Sequence, residues 1–324
     1  MRDFKVSQEE LRNILGLAIQ MGRLSSDQSV LKFFETIDFS SLRDLRDLLN
    51  AVNHYNLIKG GLSETDISIA MSELDNHLKN GIELIPYGSE KYPLCLAITA
   101  NPPAILYVKG DRDILTDLPG VAIVGSRDIS PAGEEITRRI TAQVVAAGYV
   151  TVSGLAIGTD ANAHKATLQE KGRTIAVLAH GLEEAKPKQN SRLAQEILEK
   201  GGAWISEYPM GRPAQKQSFV QRNRIQVGLS AASILIEAAK GSGTMTQADF
   251  ALKAKRPIFA VVPHMNDNPL NLNCDGNVYL VNEHKAQPLR TKQDYDNLLS
   301  TINKSNILLQ ELKQSELNKK LTLL

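Results

Sequence analysis

The stretch VAIVGSRDISPAGEEITRRITAQVVAAGYVTVSGLAIGTD, residues 121–160, decides the fold. Two short runs rich in valine and isoleucine, VAIV and YVTV, enclose a polar stretch of helical length. A buried strand, a helix and a second buried strand in this order form a βαβ unit, whose two strands lie parallel in one sheet. A glycine-containing turn follows each run. Ligands of such sheets bind beyond the carboxyl ends of the strands, so both turns are candidates for a binding site.

The same pattern recurs outward along the chain. Further apolar runs are TIAVLA at Thr174, AWIS at Ala203, SILIEA at Ser233 and IFAVV at Ile258. The recurrence, roughly every 25 to 30 residues, is the period of βαβ units. Runs that are apolar on both faces indicate a parallel sheet covered by helices on two sides. We therefore predict an α/β fold with an extended, Rossmann-like, doubly wound parallel sheet over residues 118–290.

Three other regions flank this domain. Residues 1–82 carry apolar residues at helical spacing and are predicted to form a small helical domain. In residues 83–117, prolines interrupt short apolar runs, which is typical of a connector with edge strands. Residues 291–324 are predicted to form a C-terminal helical tail. Trp204 lies within a strand run and is assigned to the core.

Composition restricts the function. Lysine and arginine total 37 against 36 acidic residues, so the net charge of +1 implies no global attraction to nucleic acid or to a membrane. A site for a polyanion must then be a local patch. Cys95 and Cys274 are far apart and outside any CxxC pair, which argues against a disulfide framework and against a zinc site. The N-terminus is polar, and no apolar stretch approaches the roughly 20 residues of a membrane span. We expect a soluble, cytoplasmic protein without a membrane partner.

Three glycine-containing turns end strands of the predicted sheet. We call residues 125–127 the first turn, residues 153–160 the second and residues 240–244 the third. Glycine lets the backbone approach a ligand closely, and a following helix N-terminus favours an anion. The predicted phosphate-binding residues of the turns are Gly125, Ser126, Arg127, Ser153, Gly154, Gly241, Ser242, Gly243 and Thr244. In the alternative interpretation, the first turn is only a tight turn and Arg127 pairs with an acid elsewhere.

A basic segment separates the fourth and fifth strands of this series. Residues 206–230 contain Arg212, Lys216, Arg222 and Arg224 together with Phe219. Basic groups interleaved with an aromatic ring suit a single nucleic-acid strand, because the charges bind phosphates and a base stacks on the ring. Arg222 and Arg224 are two residues apart, so on a helix they point about 200° away from each other and one of them is structural. Phe219 has a simple alternative as a core residue.

Evidence for catalysis is weak. Asp160 and His164 are four residues apart and suit an acid–base pair on one helix face, or a helix cap with a packed histidine. With Glu237 near the same edge, they motivate an alternative function as a nucleotide-binding sensor or a phosphoribohydrolase. No metal-ligand spacing, nucleophile elbow or kinase signature occurs. We predict no catalytic residue, no metal and no cofactor. A third alternative is an adaptor that binds proteins through its helical domain.

Nine blocks resemble the DprA/Smf family of DNA-processing proteins. They lie in order between about Tyr87 and Pro263, and they include VAIVGSR, VSGLAIGTDANAH, TIAVLAHGLE, GAWISEYPMG, FVQRNRI, EAAKGSGTMTQAD and IFAVVP. The resemblance implies an extended Rossmann fold that binds single-stranded DNA without sequence preference, commonly as a homodimer. It also implies delivery of the DNA to a RecA-type recombinase in DNA uptake. In the family, the residues that match Arg127, Lys216, Phe219, Arg222, Asn223 and Arg224 line the DNA pocket.

Two segments depart from the family pattern. KPKQ, residues 186–189, replaces a tyrosine-proline pair, and Pro263-His264 stands where the family has proline-glycine. The glycine-rich segment that follows in the family is MNDNPLNLNCDGNVYLV here, residues 265–281. The expected DNA pocket lies outside these changes.

Overall fold

A computed structural model describes residues 6–22, 27–55, 58, 60–265 and 267–322. Its strands are β1 (Ile82–Pro86), β2 (Ile105–Gly110), β3 (Gly120–Val124), β4 (Thr151–Ser153), β5 (Thr174–Val177), β6 (Ala203–Ser206), β7 (Ser230–Leu235), β8 (Ile258–Val261) and β9 (Gln287–Leu289). Its α-helices are α1 (Gln8–Met21), α2 (Asp27–Thr36), α3 (Leu45–His54), α4 (Glu64–Lys79), α5 (Leu94–Ala97), α6 (Pro131–Ala146), α7 (Thr159–Gln169), α8 (Ser191–Glu199), α9 (Lys216–Gly228), α10 (Gly243–Lys253), α11 (Asp275–Glu283) and α12 (Tyr295–Thr322). Short 3₁₀ helices lie at Phe39–Ser41, Arg112–Asp117, Lys188–Asn190 and Lys292–Asp294.

The nine strands of the described residues belong to one sheet, in the order β1-β2-β6-β5-β4-β3-β7-β8-β9. Strands β3 to β9 pair in parallel, whereas β2 pairs antiparallel with both β1 and β6. The predicted α/β fold with a doubly wound sheet is confirmed. The short β9 contains Pro288, which an edge strand tolerates because one side of its backbone is unpaired.

The order of the strands fixes where a ligand would bind. From β3 the chain adds β4, β5 and β6 on one side, and then crosses over to add β7, β8 and β9 on the other. The direction of winding reverses between β3 and β7, and the carboxyl ends at such a switch point flank an open crevice. The first turn follows β3 and the third turn follows β7. Both turns therefore border this crevice.

The N-terminal helices pack directly on the sheet. Leu11, Phe33 and Leu74 share one apolar core with Ile105 and Trp204 of the sheet. Trp204 is 5% exposed, and its indole N–H donates to the Ala194 carbonyl at 2.9 Å, which confirms its core assignment. The helical segment is thus fixed to the sheet by a common core. The domain boundaries at residues 82, 117 and 290 stay predictions.

The C-terminal helix packs against the other half of the sheet. Leu298, Ile302 and Leu309 on α12 are buried in a core cluster that includes Phe259 of β8. The Ser305 hydroxyl donates to the Ala231 carbonyl at 2.7 Å. Among the described helices, none combines the length and the apolar character that crossing a membrane requires.

Candidate nucleic-acid interface

The structure brings the three turns together at the switch point. The Thr159 N–H at the end of the second turn donates to the Ser126 carbonyl of the first turn at 3.0 Å. The Thr244 hydroxyl of the third turn donates to the Gly125 carbonyl at 3.1 Å. Segments more than a hundred residues apart in the chain therefore form one continuous surface at the carboxyl edge.

Glycine at position 158 permits this close approach. Gly158 has φ +82°, and an added Cβ would lie 2.6 Å from the Arg127 carbonyl oxygen and still closer to that of Ser126. Real side chains do not tolerate such distances to a rigid backbone. The first and second turns can therefore contact each other only because residue 158 has no side chain.

Arg127 and Phe219 form the exposed centre of this surface. The guanidinium carbon of Arg127 lies 5.7 Å from the centroid of the Phe219 ring, within the range of a cation–π contact. Phe219 is 37% exposed, so its assignment to the core is wrong. Among the described residues, the Arg127 side chain has no acidic or hydrogen-bonding partner, so the alternative of a pairing with an acid is also wrong. A cation and a ring face are both open to a ligand here.

Lys216 extends this exposed centre along α9. It is the first residue of the helix, and its side chain is exposed. Residues three apart on a helix lie on one face, so Lys216 and Phe219 are neighbours on the surface. Arg127, Lys216 and Phe219 thus combine two positive charges with an aromatic face.

Arg222 and Arg224 are both engaged by the protein. Arg222 is 6% exposed, and its Nη1 donates to the Val177 carbonyl at 2.5 Å. It lies under Gly154, where an added Cβ would collide with the guanidinium. Arg224 forms an ion pair with the buried carboxylate of Glu207. The sequence predicts that one of the two arginines is structural. In the structure both of them make contacts within the protein.

The remaining predicted site residues divide into buried and exposed groups. The Ser153 hydroxyl is buried and donates to the Ile123 carbonyl at 2.7 Å. Asn223 is buried, and its side-chain amide donates to the Thr246 hydroxyl at 2.9 Å, which ties α9 to α10. Ser126 is half-buried, and its hydroxyl accepts a bond from the Asp128 N–H at 3.0 Å, which shapes the first turn. Gly241 lies exposed just before α10, and Gly243 is the exposed first residue of that helix.

A charged network lies buried below the turns. Asp160 is 6% exposed and its Oδ2 accepts from the Gly154 N–H at 3.1 Å. Burial raises the pKa of Asp160, although the positive charge of Arg222 acts in the opposite direction. Burial lowers the pKa of His164 to about 3, and its Nδ1 lies 2.7 Å from the Thr174 hydroxyl oxygen. The pair of Asp160 and His164 is therefore closed to a substrate.

Glu237 is also a structural carboxylate. Its Oε2 accepts from the Ser130 N–H at 2.9 Å, and its Oε1 accepts from the Ser130 hydroxyl at 2.8 Å and the Asn273 N–H at 2.9 Å. These bonds hold the end of β7 to the start of α6. Nothing in the arrangement of these acids favours hydrolysis of a nucleotide. Within the described ranges, no three His, Cys, Asp or Glu side chains converge as metal ligands would.

Comparison with known families decides the relationship. A family model described as DNA recombination-mediator protein A matches residues 83–302, more than half of the chain. The chain belongs to this family. The resemblance to DprA/Smf proteins that the sequence predicts is confirmed.

Relatives within the DprA/Smf family extend the comparison. The DNA processing protein DprA of Bacillus subtilis is 38% identical over 183 residues, which are 56% of this chain and 61% of that protein. The chain thus spans less than two thirds of that relative's length. The structure of DprA from Streptococcus pneumoniae aligns with a TM-score of 0.65 and 30% identity over 90% of this chain and 97% of that one. The structure of DprA from Helicobacter pylori, which concerns its single-stranded DNA binding mode, aligns with a TM-score of 0.58 and 28% identity. The alignment covers 69% of this chain and 97% of that one.

Sequence reasoning assigned no role to two residues that position the candidate site. Glu207 holds Arg224, and Thr159 joins the second turn to the first. Glu207 follows a strand run directly, in the same way as the turns do, so its place at the carboxyl edge was available as a signal. Thr159 lies in the predicted second turn, but the sequence did not indicate its bond to the Ser126 carbonyl, because that bond depends on the packing of two turns.

The buried histidine predicts how the stability of this DprA/Smf protein depends on pH. Because burial lowers the pKa of His164 from 6.5 to about 3, the unfolded chain binds more protons than the folded protein between these pH values. The contribution of the neutral imidazole to the free energy of unfolding is complete above pH 6.5 and decreases as the pH falls from 6.5 towards about 3. We expect wild type to lose about 2 kcal/mol more than His164→Asn between about pH 7 and about pH 5. Urea unfolding at both pH values measures this difference, and equal losses would contradict the assignment.

Proposed function

We propose that this chain binds single-stranded DNA without sequence preference at the carboxyl edge of its sheet. One observation carries the proposal: the Arg127 guanidinium lies over the exposed ring of Phe219 at the switch point of the sheet. A base stacks on such a ring, and adjacent cations hold the phosphates on either side of it. The Helicobacter pylori relative, described by its single-stranded DNA binding mode, supports the same ligand.

We assign different roles to the exposed and the buried residues. Arg127 and Lys216 contact phosphates, and Phe219 stacks a base. Backbone N–H groups of the first turn and of the third turn, which opens α10, bind further phosphate oxygens. Neither stacking nor phosphate contact depends on base identity, so binding tolerates any sequence.

The buried members of the predicted pocket position the others. Arg222 supports Gly154 from below, and Ser153 fixes the second turn to β3. Asn223 joins α9 to the start of α10 and so holds Phe219 near the third turn. Arg224 acts through Glu207. Their substitution changes affinity through the shape of the site, with a loss of stability, whereas substitution of Arg127 changes affinity alone.

The test is the affinity for fluorescein-labelled oligothymidylate, measured by anisotropy across a range of salt concentrations. If about four phosphates are neutralised, the logarithm of the binding constant falls against that of salt with a slope near −3. We expect Phe219→Ala to weaken binding about tenfold with an unchanged slope, because it removes a stacking surface. Arg127→Ala and Lys216→Ala each make the slope shallower by about 0.7.

Lys79→Ala is the matched control. Lys79 is exposed at the end of α4, which leads into the edge strand β1, and four strands of the sheet separate β1 from β3. Its loss removes the same charge without touching the proposed site. If Arg127→Ala and Lys216→Ala bind oligothymidylate as Lys79→Ala does, or if wild type does not bind it at low salt, the proposal is wrong.

We further propose that the chain acts by binding rather than by catalysis, as a homodimer that delivers its strand to a RecA-type recombinase. Family membership and the buried, fully engaged acids at the edge support this role. Sedimentation of the purified protein measures its oligomeric state. A strand-exchange assay with a RecA-type recombinase on DNA coated by single-strand binding protein measures delivery, and no stimulation would contradict it.

A further inference from the structure

A second cation–aromatic pair lies beside the third turn. The Lys240 Nζ is 5.1 Å from the centroid of the Tyr279 ring, and Tyr279 is 37% exposed, as much as Phe219. Lys240 is the first residue of the third turn, and Tyr279 lies on α11. The two belong to an open groove, which is lined by Lys240, Asp275, Val278, Tyr279, Asn282 and Glu283.

Buried hydrogen bonds fix the position of this groove. The Asn277 side-chain amide, fully buried, donates to the carbonyls of Leu235 at 3.0 Å and of Val261 at 2.9 Å. The Gly276 N–H donates to the Ala238 carbonyl at 2.7 Å. These bonds hold α11 against the ends of β7 and β8. Tyr279 and Lys240 are therefore attached to a fixed part of the backbone. A stacking surface that is already ordered binds a base without a large loss of conformational entropy.

The groove continues the surface that carries Arg127 and Phe219. β3 and β7 are neighbours in the sheet, with strand axes roughly 4.8 Å apart, and their carboxyl ends carry the first and third turns. The Thr244 hydroxyl joins these turns through the Gly125 carbonyl. A strand that leaves Arg127 across the third turn arrives at Lys240 and at the ring of Tyr279.

The chemistry of the groove suits a base. A tyrosine ring face stacks on any nucleobase, and the Lys240 ammonium holds the adjoining phosphate. The carboxylates of Asp275 and Glu283 repel a run of phosphates but accept hydrogen bonds from the exocyclic amines of bases, and the Asn282 amide both donates and accepts. The mixture of charges favours one inserted base over a length of backbone.

We propose that this groove is a second stacking site for the same single strand of DNA, with Tyr279 as its platform and Lys240 as its phosphate contact. The proposal rests on the proposed function, because it places the groove on the path of a strand bound at Phe219. Its distinctive consequence is a dependence on length. A short strand occupies the Phe219 site alone, whereas a longer one reaches both platforms.

The test measures the affinity for oligothymidylates from about 4 to about 30 nucleotides, a range around the roughly 4 to 16 nucleotides that single-strand binding folds occupy. We expect Tyr279→Ala to bind the shortest detectable strands as wild type does and to bind long ones about 5 to 10 times more weakly. Tyr279→Phe keeps the ring and restores wild-type affinity. Phe219→Ala, in contrast, weakens binding at every length.

A charge control is available on α10. Lys253 also pairs with an aromatic ring, since its Nζ lies 6.0 Å from the centroid of Phe250. The helix α10 begins in the third turn at the carboxyl edge of the sheet and ends at Lys253, so Lys253 lies at the opposite, amino edge. Lys240→Ala is expected to weaken binding of long strands only, and Lys253→Ala to bind all lengths as wild type does. Photocrosslinking of a long oligothymidylate that carries 5-iodouracil is expected to label the peptide that contains Tyr279.

The outcomes separate the two proposals. In one outcome, wild type binds oligothymidylate and Phe219→Ala lowers the affinity, but Tyr279→Ala binds every length as wild type does and the peptide that contains Tyr279 is not crosslinked. The groove is then not a DNA site, and the proposed function stands. If Tyr279→Ala lowers the affinity for short and long oligothymidylates equally, the groove is not a separate stacking site. If wild type binds no strand of any length, both proposals are wrong.

Discussion

Replacement of Arg222 by methionine is expected to lower the free energy of unfolding by about 3 kcal/mol. The substitution removes the bond from Nη1 to the Val177 carbonyl and leaves that buried acceptor without its donor. It also removes the positive charge that favours the ionised carboxyl of Asp160, whose pKa burial already raises. An isolated charge in a low-dielectric interior is costly, so Asp160 then takes up a proton at a higher pH or destabilises the fold.

The measurement is a double-mutant cycle with urea unfolding at neutral pH. Arg222→Met combined with Asp160→Asn removes both charges, and we expect the pair to be less destabilised than the sum of the single variants. Arg212→Met is the matched control, since Arg212 is exposed on the same segment and should change stability by no more than about 0.5 kcal/mol. Equal effects of Arg222→Met and Arg212→Met would show that Arg222 does not support the fold.

Strand periodicity made most of the sheet predictable from the sequence. The runs at Val121, Tyr149, Thr174 and Ser233 consist mainly of apolar residues with no regular alternation of polar ones, which is the pattern of a strand covered on both faces. Parallel strands end at one edge, so the convergence of the three turns followed from the strand assignments alone. Arg127 could be named as a candidate for the same reason, whereas Phe219 was a candidate because it is an aromatic ring among the basic residues of 206–230.

The orientation of individual side chains was not predictable. Helical geometry separates Arg222 from Arg224 but does not show which one is buried. The structure engages both, because Arg222 reaches the Val177 carbonyl at the end of β5 and Arg224 reaches Glu207, which follows β6. The antiparallel joining of β2 to β6 was equally hidden, since short runs interrupted by prolines are typical of connectors as well as of edge strands.

The groove at Tyr279 was beyond sequence reasoning for a related reason. Its ring meets Lys240 only because the side chain of Asn277 bonds to two strands and fixes α11. An asparagine that reaches the ends of two strands leaves no periodic signal in the sequence. Sites that depend on long-range packing of this kind appear only in three dimensions, whereas sites that follow strand ends can be found from the sequence.

Replacement of Gly158 by alanine is expected to destabilise the protein by about 3 kcal/mol and to weaken binding of oligothymidylate. Gly158 has φ +82° and ψ −131°, a conformation that essentially only glycine adopts. The new methyl group would also press on the carbonyl groups of Ser126 and Arg127, which are backbone and cannot rotate away. Relief of that overlap moves the first turn, at a cost of roughly 1 to 3 kcal/mol beyond the backbone strain. Because the first turn carries Arg127, the DNA affinity falls with the stability.

Gly148→Ala separates strain from collision. Gly148 has φ +85°, but a methyl group there would meet no atom within 4 Å. Its substitution costs about 1 kcal/mol from the left-handed backbone alone and leaves DNA affinity unchanged. Urea unfolding and anisotropy are applied to both variants. The loss of stability that they have in common comes from the left-handed backbone, and any further loss of stability or DNA affinity in Gly158→Ala comes from the contact with the first turn. If the two variants lose equal stability and bind DNA equally well, the contact between the first and second turns does not shape the site.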